Sequence, residues 1–104
     1  MKIEVLYVPN CPNHAVALER LREILTVENC QSHISEVLVA DTSMAQTLKF
    51  LGSPTIRING HDIEPQEDKT ESFGLMCRLY AGGNGAPSHE RLQYAIRRAR
   101  SMEV

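Results

Sequence analysis

The chain has 104 residues, 42% of them hydrophobic and 23% charged, with a formal net charge of −2 at pH 7. That length fits one domain, 1–104, able to bury about two-thirds of its unfolded surface without disulfide or metal staples, and the composition is that of a soluble globular protein, which excludes wholesale disorder. The charge gives no reason to expect nucleic acid as a partner. No run approaches the ~18 apolar residues of a membrane span, and Met1-Lys2-Ile3-Glu4 carries no secretion signal, so no membrane partner and a cytoplasmic location are expected.

In chain order, residues 2–8 (Ile3, Val5, Leu6, Tyr7, Val8) predict a buried strand ended by Pro9, and residues 12–28 place Val16, Leu18, Leu21, Ile24 and Leu25 at helical spacing. Pro12 suits the first helical position, where its missing N–H costs nothing. Cys11 therefore falls at a helix N-terminus. Unpaired backbone N–H groups and the positive end of the helix dipole stabilise a thiolate there, which makes Cys11 a candidate nucleophile. A second strand is expected over 34–40, followed by a helix with N-cap candidates Asp41, Thr42 and Ser43 that runs to Leu51 and stops at Gly52. The β-α-β-α order predicts two parallel strands joined by a right-handed crossover.

Ser53-Pro54-Thr55 then leads into Ile56-Arg57-Ile58, Asn59-Gly60 and His61-Asp62-Ile63-Glu64. An Asn-Gly pair between two short runs predicts a two-residue hairpin. Residues 66–72 are polar, 73–80 place Phe73, Met76, Cys77 and Tyr80 at helical spacing, and 81–87 are glycine-rich, so a short extra helix is expected between a polar entry and a flexible exit. A last helix over 88–100 follows, with Ser88 as its cap. Arg91, Arg97, Arg98 and Arg100 near its end read as a solvated face that complements the helix dipole, and His33, His61 and His89 as scattered surface residues.

The element order, the cysteine before the first helix and the proline before the third strand together resemble the thioredoxin-like superfamily, over residues 1–64 and 88–100. The resemblance implies an α/β fold, β-α-β-α-β-β-α, with a mixed four-stranded sheet, helices on both faces and the inserted short helix before the last one. The family's Cys-x-x-Cys motif would correspond to Cys11-Pro12-Asn13-His14, and its cis-proline to Pro54. By the same resemblance the expected activity is thiol–disulfide exchange with a protein or small-molecule disulfide or thiol, without cofactor or metal. Cys11 would be the attacking thiolate, with Ser53 and Pro54 shaping the substrate groove.

His14 stands where the second cysteine would be, which removes the usual disulfide within the first turn. Three routes stay open: His14 deprotonates or tunes Cys11, Cys77 swings over as a resolving thiol, or an external thiol such as glutathione resolves the intermediate. Cys30, at the far end of the first helix, reads as structural. The alternative from another class is a binding module without turnover. It would hold either a thiophilic metal on Cys11, His14 and Cys77 or an extended peptide along an exposed cleft at Pro54. The odd cysteine count permits a disulfide-linked dimer without requiring one, so oligomeric state is left open.

Overall fold

The computed structural model describes residues 1–64, 74–76, 78–80 and 85–102. Among them the elements are β1 (Ile3–Tyr7), α1 (His14–Val27), β2 (Ile34–Leu38), α2 (Thr42–Thr47), β3 (Thr55–Ile58), β4 (His61–Asp62) and α3 (His89–Ser101). The result is a mixed α/β architecture. Its four strands lie in the order β2-β1-β3-β4, with β1 and β2 parallel and β3 antiparallel to both β1 and β4.

β1 is one of the two inner strands, and its side chains alternate between two cores. Ile3 and Val5 join Ile56 and Ile58 of β3 against Leu18, Leu21 and Leu25 of α1 and Leu92 and Ile96 of α3. Leu6 faces the other way, onto Val39, Ala45 and Phe50 beneath α2. Each fully buried Leu, Ile or Phe of these cores contributes about 1.5–3 kcal/mol relative to exposure. Helices therefore cover both faces of the sheet.

α1 and α3 run in the same direction, since their cross-links advance together. Arg20 donates to the Pro87 carbonyl, His89 meets Glu23, and Arg97, Gln93 and Arg100 all bond Glu28. Arg97 and Arg100 are thus not only a solvated face but part of the clamp on the end of α1. The Arg97 hydrogen bond first, with that of Gln93, holds the Glu28 carboxyl below its ordinary pKa.

Three local expectations are corrected. α1 begins at His14 rather than at Pro12, because Pro12 and Asn13 form a turn in which the His14 N–H bonds the Cys11 carbonyl at 3.3 Å. On that helix Val16 is exposed and Ala17 is buried in its place. α2 ends at Thr47, well short of Leu51: Lys49 takes a left-handed φ of 53°, and the Lys49 and Phe50 N–H groups bond back to Gln46 and Ala45. That is the Schellman closure usually made by glycine, here with lysine. The same closure ends α1, with Asn29 at φ 50° and Cys30 bonding the Leu25 carbonyl. Cys30 packs against the main core, as a structural residue does.

The hairpin forms as the Asn-Gly pair requires, with φ of 53° at Asn59 and 84° at Gly60, the two positive values of a type I′ turn. Ser88 caps α3 by accepting from the Arg91 N–H at 3.1 Å, and Asp41 caps α2 by accepting from Met44. The extra helix expected over 73–80 is not seen: Gly74–Met76 and Arg78–Tyr80 are non-helical, while Phe73 and Cys77 lie outside the described residues. Periodicity suggested a helix, but these residues are held by long-range backbone bonds, with Met76 and Arg78 on either side of Ser53.

Candidate functional site

The C-terminal end of β1 is where the candidate residues gather. β3 starts at this end, since Thr55 pairs with Leu6, and the Ser53 hydroxyl accepts from the Val8 N–H at 3.1 Å. Three residues after Val8 comes Cys11, half-buried, reduced, and with no hydrogen bond to its thiol among the described residues. Asn10 before it takes a left-handed φ of 61°, which turns the chain from the strand into the Cys11–His14 turn.

Asn13 is the N-cap residue of α1, yet its side chain caps nothing. A Cβ built on Gly85 would collide with the Asn13 amide, so that amide rests on the Gly85 backbone instead. The first-turn donors are left without the side-chain acceptor that Asn normally supplies. Cys11 stands one turn ahead of these uncapped amides rather than on the helix itself.

His14 points away from a simple Cys-His pair. Its Nε2 bonds the Glu36 carboxylate of β2 at 2.8 Å, and its ring stacks on Tyr7 with centroids 3.7 Å apart and planes 13° from parallel. Its Nδ1 is buried and has no partner among the described residues. No hydrogen bond joins the His14 ring to the Cys11 thiol among those residues.

Ser53 and Pro54 are both buried. The Ser53–Pro54 peptide bond is cis. The Ser53 N–H bonds the Met76 carbonyl at 2.8 Å and its carbonyl accepts from the Arg78 N–H at 3.0 Å. The chain's own segment thus occupies the backbone groups that an extended ligand would use. Gly52, at φ 122°, is required here because a Cβ would come within 2.9 Å of the Arg78 Cβ.

Behind this strap lies a buried polar cluster. Arg78 reaches Asp62 through two hydrogen bonds, Thr55 through a third, and lies 4.4 Å from the Tyr80 ring centroid. The Tyr80 hydroxyl donates to the Pro54 carbonyl at 2.6 Å. Burial works against the Arg78 charge, but the hydrogen bonds to Asp62 and the surrounding negative charges outweigh it and hold its pKa above the ordinary value. Burial first, with the negative charge of Asp62, pushes the Tyr80 phenol up.

Comparison with protein-family models, curated proteins and solved structures finds no match.

Cys11, Ser53 and Pro54 are thus brought to one end of the sheet, and His14 follows Cys11 by one turn. Cys77 lies outside the described residues. Among the described residues no group of three or more His, Cys, Asp or Glu side chains is placed to hold a metal, and no helix is long and apolar enough to cross a membrane. Sequence reasoning missed Glu36, Tyr7 and Arg78. Glu36 and Tyr7 sit in the helix-facing rows of their strands, and Arg78 interrupts an apolar run; those were the available signals.

Proposed function

We propose that the chain is a thioredoxin-like thiol–disulfide oxidoreductase in which Cys11 is the attacking thiolate. The observation that carries this reading is the free Cys11, whose thiol has no hydrogen bond among the described residues, one turn ahead of an uncapped helix N-terminus at the end of β1 where the Ser53–Pro54 bond also lies. The sheet order β2-β1-β3-β4, with α1 and α3 on one face and α2 on the other, agrees with the resemblance noted in the sequence.

In the proposed cycle the Cys11 thiolate attacks one sulfur of a substrate disulfide. The S–S bond breaks, a mixed disulfide forms on Cys11, and the other substrate sulfur leaves as a thiolate and takes up a proton. A second thiolate then attacks the Cys11 sulfur and releases the reduced substrate. Where Cys77 is that second thiol, the product is a Cys11–Cys77 disulfide and the protein has given up two electrons. Where an external thiol attacks, a new mixed disulfide forms and a further thiol regenerates Cys11. Met76 and Arg78, which flank Cys77 in the chain, are bonded to Ser53, and Ser53 bonds Val8.

Reduction of insulin by dithiothreitol or glutathione, followed by turbidity, tests the reading. Wild type accelerates precipitation and Cys11→Ser does not; Cys77→Ser traps a mixed disulfide on Cys11 where Cys77 resolves, and changes little where an external thiol does. Equal rates for wild type and Cys11→Ser contradict the proposal.

A further inference from the structure

We infer that the groove between the β3–β4 hairpin and the last two turns of α3 binds a small organic acid, an apolar body carrying one carboxylate. The groove measures about 520 Å³, within the ~300–1,000 Å³ of small-ligand pockets. It lies at the opposite end of the sheet from Cys11, since Asn59 bonds Lys2 just before β1 and Cys11 follows β1, and it stands apart from the redox reading. Two alanines open it. Ala95 and Ala99, one turn apart on the face of α3 that packs against the main core, bring only a methyl group each toward the hairpin. The buried Ile58 and Ile63 line the groove from the hairpin side, and Tyr94 and Met102, 56% and 69% exposed, flank the alanines along the helix. Large apolar side chains left in solvent beside such a hollow mark a surface that takes apolar material.

The polar groups of the groove decide the other end of the ligand. Its acidic side chain, Asp62, is already taken: both oxygens accept from Arg78, and one also accepts from the Glu64 N–H. The Asn59 side-chain oxygen accepts from the Lys2 N–H. Arg98 and His61 line the groove as well, and neither side chain has a hydrogen bond or ion pair among the described residues. The contrast is within one turn of helix, because Arg97 and Arg100 are both bonded to Glu28 while Arg98, on the face toward the hairpin, is not. An apolar trough thus carries an unmatched cation and a spent carboxylate, and the charge complementary to it is an anion. A guanidinium accepts a carboxylate through two parallel N–H bonds, and hydrocarbon attached to that carboxylate leaves water for the alanines and isoleucines.

Octanoate is the probe, and octanol, with the same chain and no charge, is its control. In spectra of protein carrying 13C-labelled alanine methyls, octanoate should shift Ala95 and Ala99 saturably with a Kd below ~1 mM, and should leave Ala17 and Ala45, buried in the two cores, unmoved. Octanol should bind the same methyls about tenfold more weakly, and Arg98→Gln should bring octanoate down to the octanol level without changing octanol itself. Arg98 is exposed, so this variant keeps the fold. Ala99→Leu, which places hydrocarbon in the groove, should abolish binding of both. Cys11→Ser should bind octanoate as wild type does, so the result is read independently of the oxidoreductase reading. The absence of a saturable shift at Ala95 and Ala99 up to ~10 mM octanoate overturns the inference. Equal affinity for octanol and octanoate, or octanoate binding unchanged in Arg98→Gln, overturns it too.

Discussion

Arg78 and Asp62 meet through paired hydrogen bonds of 2.6 and 2.8 Å, with side chains only 5% and 15% exposed. This buried pair fastens the segment that bonds Ser53 to the end of the hairpin. Removing one partner strands the other charge in a poorly solvated place, and Arg78→Ala is expected to cost about 3 kcal/mol or more. The double replacement Arg78→Met with Asp62→Leu, which removes both charges, should recover much of that loss. Urea unfolding of the single and double variants checks this, and an Arg78→Ala midpoint equal to wild type contradicts it.

Gly52 lies directly under the same arginine. An alanine there combines a left-handed φ of 122° with a Cβ 2.9 Å from the Arg78 Cβ, so Gly52→Ala should lose about 2 kcal/mol. The neighbour is the root of a side chain and cannot swing aside. Gly60→Ala provides the contrast, because a Cβ there meets nothing within 4 Å and only the φ of 84° opposes it. The smaller loss is expected at Gly60 in parallel urea titrations.

The Tyr80 phenol is held protonated by burial, so its pKa is raised in the folded chain relative to an unfolded value near ~10. The folded state then keeps a proton that the unfolded state releases, and stability is complete below that value and falls as pH rises above it. Tyr80→Phe should cost about 1 kcal/mol at neutral pH by losing the bond to the Pro54 carbonyl, and should flatten the alkaline decline. Unfolding curves at neutral pH and near pH ~10.5 read both effects.

Glu28 predicts the opposite limb. Its carboxyl is lowered by the Arg97 and Gln93 hydrogen bonds, so in the folded chain it takes up its proton at lower pH than when unfolded. Its contribution is complete above the unfolded value of about 4.3 and is lost as pH falls through the lower, folded one. Glu28→Gln should make the acid decline in stability shallower. An unchanged acid limb would show that the clamp between α1 and α3 does not depend on this charge.

Much of the fold was legible because its signals are local. The Asn59-Gly60 turn, the Asp41 and Ser88 caps and the apolar periodicity of α1 and α3 each follow from a few adjacent residues. The early end of α2 was not, since lysine at Lys49 adopts a backbone conformation that the sequence marks only when glycine or asparagine is there. The site divides in the same way. Cys11 is announced by its place between a strand and a helix. The Glu36–His14 bond depends on the register of two parallel strands, and the pairing of Ser53 with Met76 and Arg78 joins segments more than twenty residues apart. No local pattern encodes either.

The measurement that tests the central claim most directly is non-reducing peptide mapping by mass spectrometry. The protein is mildly oxidised with glutathione, and the thiols that remain free are alkylated before digestion. The account predicts modification at Cys11, as a Cys11–Cys77 bridge or as a glutathione adduct on Cys11, with Cys30 alkylated. Cys11 recovered as fully alkylated as Cys30 would contradict it.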